Sequence, residues 1–395
     1  MRAPRVLSLA TLFPSPPRPA FGGFVARQAE ALAAGGEIDL ITVNPIGLPP
    51  WPLCRRAPYR ELAACPASSR SGPLTVHHPR FCLLPLIGGA GNPARIARAV
   101  LPLARRFHAE ARFALVDAQF FFPDGPAAMQ LAQALGVPLT IKARGSDIHY
   151  WRTRPGALAQ MRAAAQRAAG LLAVSEALKR DMIALGFPAE KIRVHYTGLD
   201  HARFKVTPRA GARARMANRG LPADAPLIVC PGALIAIKGQ RLAIEALAQL
   251  PGVHLALAGS GGDFRALQQL AAARGLDDRV HFLGQVSHDV LPTLLCAADA
   301  VVLPSEREGL ANVWIEALAC GTPLVIPDIG GAREVVTARE AGRIVAREPA
   351  AIAAALRELL ANPVDQADVA AQAARFTWTR NAGELADFWK VAARA

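Results

Sequence analysis

The stretch SEREGLANVWIEALACGTPLV, residues 305–325, places two glutamates, Glu308 and Glu316, eight residues apart. An apolar run, residues 300–304, precedes it, and a glycine directly follows the first glutamate. This pattern predicts a buried strand, then a glycine turn, then a helix that begins at Asn312 or its neighbour. The second glutamate lies about one turn inside that helix, where its carboxylate can accept hydrogen bonds from two hydroxyls.

Short apolar runs alternate with helical patterns along nearly all of the 395 residues, and 52% of the residues are hydrophobic. The alternation predicts α/β architecture with parallel sheets, and the length predicts two or three domains. The expected strands are residues 6–12, 38–43, 115–118, 139–142, 170–174 and 193–196, then 227–230, 254–258, 280–283, 300–303, 323–326 and 343–345. Residues 45–92 are expected to form a long irregular excursion, and residues 201–225 a basic junction. We therefore expect two Rossmann-like domains in series, with a cleft between them.

The first residues, MRAPRVLSLATLF, fit either a short signal peptide or a buried first strand. The glycine turn and amphipathic pattern that follow favour the strand. The six cysteines include no C-x-x-C pair, which predicts reduced thiols in a cytosolic protein. No H-E-x-x-H motif and no run of 18 apolar residues is present, so we expect neither a protein-bound metal nor a membrane span.

The positive charge is concentrated in the first half of the chain. Residues 1–200 carry 24 Lys and Arg against 12 Asp and Glu, whereas residues 201–395 carry 21 against 19. An arginine-rich genome would raise arginine usage in both halves, so the asymmetry points to an anionic partner. Nucleic acid is not expected, because basic residues are not interleaved with aromatic ones in a known binding motif.

Loops after the expected strands of the second half carry groups suited to a phosphorylated, hydroxylated ligand. Residues 231–239 place Lys238 close to a helix start, and residues 258–262 supply a glycine-rich turn that includes Gly259. Ligands of doubly wound sheets bind at such loops. Acids for hydroxyls, a lysine and backbone N–H groups for phosphate, and glycines for close approach together predict a site for a polyhydroxylated diphosphate. An isolated pair of carboxylates would instead be interpreted as charged side chains on the exposed face of a helix.

The pattern resembles that of the retaining family 4 glycosyltransferases of GT-B fold. Their E-x7-E motif is followed by A-x-G-T-P, and residues 319–323 here read ACGTP. Weaker similarities are FGG at residues 21–23, TGLD at residues 197–200 and FTW at residues 376–378. The resemblance implies an acceptor-binding domain of residues 1–200, onto which a C-terminal helix of residues 380–395 packs back. It also implies a nucleotide-sugar-binding domain of residues 201–379.

The resemblance also implies residue roles. Lys238 would hold the donor diphosphate, Glu316 the ribose and Glu308 the donor sugar. The remaining donor-binding residues would be Gly23, Gly259, Phe282, Gly309 and Leu310. The sugar would be transferred with retention and without a cofactor or protein-bound metal, and the protein would mainly position the reactants and stabilise charge.

Two positions depart from the family pattern. The arginine usual before the lysine is Ala233 here, so one diphosphate cation is missing. The usual H-G-x-D reads Arg144-Gly145-Ser146-Asp147, and an arginine cannot act as a base. Glu308, Arg144 and Asp147 are the candidate catalytic residues, with Arg144 either replacing the missing cation or making an acceptor or structural contact. The alternatives to transfer are a degenerate nucleotide-sugar-binding protein and a sugar-nucleotide epimerase of related fold.

A basic, amphipathic stretch, residues 92–113, has two interpretations. It sets five arginines beside apolar residues such as Ile96 and Val100. It could lie on an anionic membrane surface, or it could be an ordinary helix packed on the sheet. With the charge asymmetry, the first interpretation predicts a lipid-linked or otherwise anionic acceptor. The protein would then be cytoplasmic and peripheral to the inner face of the membrane, in assembly of a bacterial surface polysaccharide.

Overall fold

A computed structural model describes residues 3–84 and 89–394. The chain divides into two compact units. The first comprises Met1–Gly198 and Trp378–Ala395, and the second comprises Leu199–Thr377. Within the described residues, no helix is both long enough and apolar enough to cross a membrane.

The first unit is built on a largely parallel sheet. Its strands are β1 (Arg5–Leu9), β2 (Asp39–Val43), β3 (Ile46–Leu48), β4 (Ser68–Ser71), β5 (Leu74–His77), β6 (Arg80–Cys82), β7 (Leu115–Ala118), β8 (Leu139–Ala143), β9 (Gly170–Ala173) and β10 (Ile192–Val194). Its first helices are α1 (Gly23–Gly35), α2 (Tyr59–Ala63), α3 (Asn92–Glu110), α4 (Asp124–Leu135), α5 (Ser146–Trp151), α6 (Pro155–Arg167) and α7 (Glu176–Ala184). The sheet order is β10-β9-β8-β7-β1-β2-β5-β4, in which only β4 is antiparallel to its neighbour. Strands β3 and β6 form a separate parallel pair.

The second unit is a six-stranded parallel sheet. Its strands are β11 (Leu227–Pro231), β12 (His254–Ala258), β13 (Val280–Gly284), β14 (Ala300–Val302), β15 (Leu324–Pro327) and β16 (Gly342–Val345). Its helices are α8 (Arg209–Ala217), α9 (Gln240–Leu247), α10 (Phe264–Ala273), α11 (Leu291–Ala297), α12 (Asn312–Ala319), α13 (Ala332–Val335), α14 (Pro349–Ala361) and α15 (Gln366–Ala371). The order β13-β12-β11-β14-β15-β16 is that of a Rossmann fold, with the first strand in the centre.

The last helix, α16 (Trp378–Ala392), packs into the first unit although it follows the second in sequence. Its apolar face joins a core cluster with strand residues of the first sheet, and Leu385 and Trp389 are almost fully buried there. The Trp389 indole also donates a hydrogen bond to Asp117 Oδ1 on β7 at 3.1 Å. Residues far apart in sequence therefore share one core, and removing this helix would expose it.

Buried polar side chains hold the same region together. Thr140 donates to Asp117 at 2.6 Å, and the Lys142 amine lies 2.8 Å from His195 Nδ1. The other nitrogen of His195 lies 2.8 Å from the carbonyl of Asn381 on α16. Burial holds the pKa of Lys142 well below its usual range, which favours the neutral amine in this apolar setting.

Four sequence-based expectations need correction. The excursion at residues 45–92 holds four short strands, of which β5 and β4 extend the sheet; residues 85–88 lie outside the described part. The first strand ends at Leu9 rather than residue 12. The basic junction contains α8, whose Arg213 pairs with Asp299. On the apolar face of α3, Ile96 and Val100 are fully buried and Leu103 and Phe107 are half-buried, as expected of an ordinary packed helix rather than one lying on a membrane.

A close approach in this core generates a stability prediction. A Cβ added at Gly170 would lie 2.5 Å from the ring carbon Cζ of Phe388 on α16. Gly170→Ala should therefore lower the free energy of unfolding by about 1–3 kcal/mol, through overpacking. Gly35→Ala, where a Cβ meets nothing within 4 Å, is the matched control and should not destabilise.

Chemical denaturation of five proteins measures the effect: the wild type, Gly170→Ala, Gly35→Ala, Phe388→Leu, and Gly170→Ala in the Phe388→Leu background. Removing the ring should remove most of the cost of the added methyl group. An equal cost in both backgrounds would show that the contact between residues 170 and 388 is not its cause.

Candidate functional site

The candidate site of the second unit lies at the carboxyl ends of β11 and β14. These two strands are neighbours at the centre of the sheet, where the strand order reverses. Ligands of open α/β sheets bind at this switch point, because the loops that leave the two strands diverge and open a crevice. Residues 232–239 follow β11 and residues 303–311 follow β14, so the two predicted motifs meet here.

An ion pair joins the two loops. The Lys238 amine lies 2.6 Å from Oε1 of Glu308, and their side chains are 25% and 12% exposed. A contact this short between partly buried groups is a charge-assisted hydrogen bond. The predicted diphosphate cation and the predicted sugar-binding acid are therefore already partners, although they lie 70 residues apart in sequence.

Glycines allow the backbones around this pair to approach closely. Gly239 adopts a left-handed φ of +71°, and a Cβ there would lie 2.2 Å from the carbonyl oxygen of Pro304. A Cβ at Gly259 would lie 1.9 Å from the carbonyl oxygen of Gly232. The Glu306 N–H also donates to the Ile237 carbonyl at 2.7 Å. A side chain at Gly239 would push the loops after β11 and β14 apart and separate the lysine from the glutamate, and one at Gly259 would push apart the loops after β11 and β12.

The turn at Glu308 is supported by a segment that the sequence analysis missed. The Gly331 N–H donates to the carbonyl of Gly309 at 2.8 Å, and a Cβ at Gly330 would lie 2.3 Å from the carbonyl oxygen of Glu308. Because a trans peptide is planar, the N–H of Leu310 points away from Gly331 and is available on the opposite side. The Gly330-Gly331 pair, three residues after the end of the buried strand β15, was the sequence signal for this support.

Glu316 has no protein partner for its carboxylate among the described residues. It lies in α12, which begins at Asn312 as predicted, and the residues around it are almost all fully buried. Burial without a compensating hydrogen bond raises the pKa of Glu316 to about 7. An unpartnered carboxylate in such a place is suited to a ligand that supplies hydroxyl groups.

The remaining predicted donor residues are placed as follows. Phe282 lies on β13, half-buried, with its ring against Phe264 at 5.3 Å in an edge-to-face arrangement. Gly23 begins α1 in the first unit, and a Cβ there would meet nothing within 4 Å. Helix starts with open space can accept an anion. The donor-binding roles of Phe282 and Gly23 stay predictions.

Arg144 and Asp147 belong to the first unit and make contacts within it. The Arg144 guanidinium donates to Gln28 Oε1 at 3.0 Å and to the Gln119 carbonyl at 3.2 Å. Burial lowers its pKa to about 10, so it stays charged at neutral pH. Asp147 is fully buried and accepts backbone N–H groups, including that of Phe121 at 2.7 Å. These contacts are structural, and catalytic roles for the two residues stay predictions.

Known proteins resemble this chain over most of its length. The family model described as Glycosyl transferases group 1 matches residues 213–376, and that described as Glycosyltransferase Family 4 matches residues 55–203. A GDP-mannose-dependent alpha-(1-6)-phosphatidylinositol monomannoside mannosyltransferase of Mycolicibacterium smegmatis is 30% identical over 77% of this chain and 78% of that protein. A D-inositol 3-phosphate glycosyltransferase of Geodermatophilus obscurus is 35% identical over 50% of this chain and 46% of that protein. In fold, the chain resembles sucrose-phosphate synthase from Thermosynechococcus elongatus, with a TM-score of 0.81, 23% identity and 98% of both chains covered.

The unpartnered carboxylate generates a pH prediction. The pKa of Glu316 is raised from 4.5 to about 7 on folding, so the unfolded chain ionises this group first as the pH rises. The wild type should therefore lose stability, on the order of 2–3 kcal/mol, between about pH 4.5 and 7. Glu316→Gln removes the titrating carboxyl group. The melting temperature of this variant relative to the wild type should therefore rise across this pH range and stay constant above it.

Thermal unfolding at half-unit pH intervals measures that difference. Glu306→Gln, at a nearby exposed glutamate, controls for the loss of a charge and should track the wild type. A constant difference between Glu316→Gln and the wild type from pH 4.5 to 8 would contradict the raised pKa.

Proposed function

This chain belongs to the family 4 glycosyltransferases of GT-B fold, and from that premise we propose that it moves a sugar from a nucleoside-diphosphate sugar to an acceptor hydroxyl with retention at the anomeric carbon. We propose that the reaction serves assembly of a bacterial polysaccharide or glycolipid. The E-x7-E motif supports retention, because it is the motif of the retaining enzymes that this chain resembles.

The arrangement of Lys238, Glu308 and Glu316 is the observation that carries the proposal. Lysine is a point cation suited to phosphate, and it sits at the switch point of the second unit, where nucleotides bind in doubly wound sheets. The Glu316 carboxylate is free to accept hydroxyls, as a ribose would require. A ligand that satisfies both is a nucleoside diphosphate, and Glu308 is then free to receive the hydroxyls of its sugar.

The ion pair between Lys238 and Glu308 must be exchanged for contacts with the ligand when the donor binds. While Glu308 holds Lys238, the lysine charge is largely neutralised, and Ala233 supplies no second cation. A diphosphate must draw the lysine away from the glutamate, and the sugar hydroxyls then replace the lysine as donors to Glu308. A bare nucleoside diphosphate has no sugar hydroxyls to replace the lysine at Glu308. The intact nucleotide sugar should therefore bind more favourably than the bare nucleoside diphosphate.

Catalysis in this proposal requires no base from the protein. The departing phosphate oxygen takes the proton of the attacking hydroxyl on the same face of the sugar, and Lys238 stabilises the charge that develops on the diphosphate. Arg144 is charged at neutral pH and held by glutamines, so it cannot take that proton. A protein that binds the donor without transfer is the alternative that Ala233 favours, and nucleotide release that needs both donor and acceptor would exclude it.

An anionic acceptor is the second part of the proposal. The names of the two relatives specify inositol 3-phosphate and a phosphatidylinositol mannoside, which both carry phosphate. The first half of this chain is also strongly basic. A lipid-linked acceptor would require contact with a membrane surface, and the segment from Trp51 to Arg60 suits one. Trp51 is 75% exposed and Leu53 is 41% exposed, beside the exposed Arg55 and Arg56.

Two substitutions test the nucleotide assignment. Glu316→Gln should weaken binding of UDP or GDP by tenfold or more, because the hydroxyls lose a charged acceptor. Glu308→Gln should leave that binding unchanged or tighten it, because it releases Lys238 from its ion pair. Isothermal titration with the bare nucleoside diphosphates measures both.

The same variants are then titrated with the intact nucleotide sugar. Here Glu308→Gln should weaken binding, because Glu308 is the proposed acceptor for the sugar hydroxyls. A tenfold loss of UDP or GDP binding in Glu308→Gln, or no loss in Glu316→Gln, would overturn the assignment. Arg307→Gln, directly before Glu308 in sequence and with an exposed side chain, is the control for general disturbance of the loop.

The membrane proposal generates its own prediction. Wild-type protein should sediment with vesicles that contain anionic lipid, and less so as the salt concentration rises. Trp51→Ala with Arg55→Gln and Arg56→Gln should weaken sedimentation by at least tenfold, because each basic residue near the surface contributes about 1 kcal/mol. The control replaces Arg98 and Arg105, which are exposed on α3, with glutamine. A greater loss in the control, or no sedimentation at low salt, would refute the assignment to this segment.

A further inference from the structure

We propose that a cavity of about 350 Å³ in the first unit binds an anionic sugar residue of the acceptor, a pyranose ring that carries a carboxylate or a phosphate group. This inference rests on the proposed function, because only a transferase has an acceptor. The cavity lies beside the loops that leave β1 and β2, and residues between Asn44 and Leu83 line its other side. Its volume is at the lower end of the range for small-ligand sites.

The walls of the cavity are aromatic and apolar. Phe21, Tyr59 and Phe81 contribute rings from three separate segments of the chain. The Phe81 ring is held in place by Gly47, where an added Cβ would lie 2.8 Å from ring carbon Cζ. Flat aromatic surfaces match the C–H faces of a sugar ring, whereas a wall of charged groups would not.

A fixed hydrogen-bond acceptor points to hydroxyl groups in the ligand. Asn44 lines the cavity and is only 2% exposed. Its amide Nδ2 donates to the carbonyls of Phe13 and Pro14, at 3.1 and 3.3 Å, which fixes the orientation of the amide. Its Oδ1 has no partner among the described residues, so a ligand hydroxyl can donate to it.

The positive charge of the cavity wall favours an anionic ligand. Arg18 lines the cavity, with its guanidinium 5.9 Å from the Phe21 ring centroid, and it forms no ion pair or side-chain hydrogen bond with the described residues. Neither Asp nor Glu lines the cavity. The nearby Asp124 is fully buried, and its carboxylate is held by Thr11 at 2.7 and 2.9 Å.

The segment around the cavity adds further positive charge. Residues 44–84 carry five arginines and one glutamate. An arginine that lacks a protein partner at the wall of an apolar cavity binds a carboxylate or a phosphate with paired N–H donors. A neutral sugar would leave the guanidinium without an anion, so the cavity should bind anionic sugars more tightly than neutral ones.

Binding of two matched sugars tests the proposal in the full-length protein. Methyl glucuronide carries a carboxylate where methyl glucoside carries a hydroxymethyl group, and glucose 1-phosphate carries a phosphate. Ligand-observed NMR titration should show at least tenfold tighter binding of one of the two anionic sugars than of the neutral one. Which anionic sugar binds more tightly distinguishes carboxylate from phosphate recognition.

Three variants assign that binding to the cavity. Arg18→Gln should abolish the preference for charge, because Arg18 is the one cationic side chain among the described residues that line the cavity. Leu83→Trp should fill the volume and weaken all three ligands. Arg70→Gln removes an exposed arginine of the same segment that does not line the cavity, and it should behave as the wild type. A charge preference that persists in Arg18→Gln, or equal binding of charged and neutral sugars by the wild type, would overturn the proposal.

The same samples keep this inference separate from the proposed function. In the proposed function, Lys238 and Glu316 of the second unit bind the nucleotide, and none of the three variants alters a predicted donor-binding residue, so binding of UDP or GDP should be unchanged in all three. Loss of the anionic sugar with nucleotide binding intact in Arg18→Gln supports the cavity assignment. Anionic-sugar binding by a protein that binds no nucleotide would refute the proposed function and leave the cavity as a sugar site.

Discussion

Parallel strand pairing is the constraint on which both units depend. It brings all carboxyl strand ends of a sheet to one edge, and the order of the second sheet places β11 beside β14 in the centre. Residues from distant parts of the sequence are then brought within hydrogen-bond reach. Lys238 and Glu308 meet at 2.6 Å because their loops leave adjacent strands and because Gly239 lets the two backbones touch.

In the proposed function, the ion pair also gives a single cation, Lys238, a way to select its ligand without a second cation at Ala233. A free lysine beside Ala233 would attract any phosphate, whereas a lysine held by Glu308 favours a ligand that satisfies both partners. Selectivity for an intact nucleotide sugar over inorganic phosphate then follows from the charge that would be left unpaired. The half-buried Glu316, which the protein leaves without a partner, adds a demand for hydroxyls.

The motifs and the buried strands could be predicted from the sequence because both have local signals. Apolar runs marked the twelve central strands to within a few residues, and E-x7-E marked the loop and helix that carry the two acids. Strands such as β4, SSRS, have no apolar pattern and form only by pairing with β5. The contact of Arg144 with Gln28 spans 116 residues, and the support of Glu308 by Gly330 is set by backbone shape. Such non-local contacts leave no periodic trace in a single sequence.

The anomer first released from the donor tests the central claim most directly. Glycosyltransferases that hold an activated donor hydrolyse it slowly when water replaces the acceptor, and the sugar can be observed by proton NMR before mutarotation. With an α-linked UDP-sugar or GDP-sugar that binds the wild type, the account predicts that the α anomer appears first and that Lys238→Ala releases none. Initial release of the β anomer would contradict retention, and undiminished release by Lys238→Ala would contradict the assignment of the site.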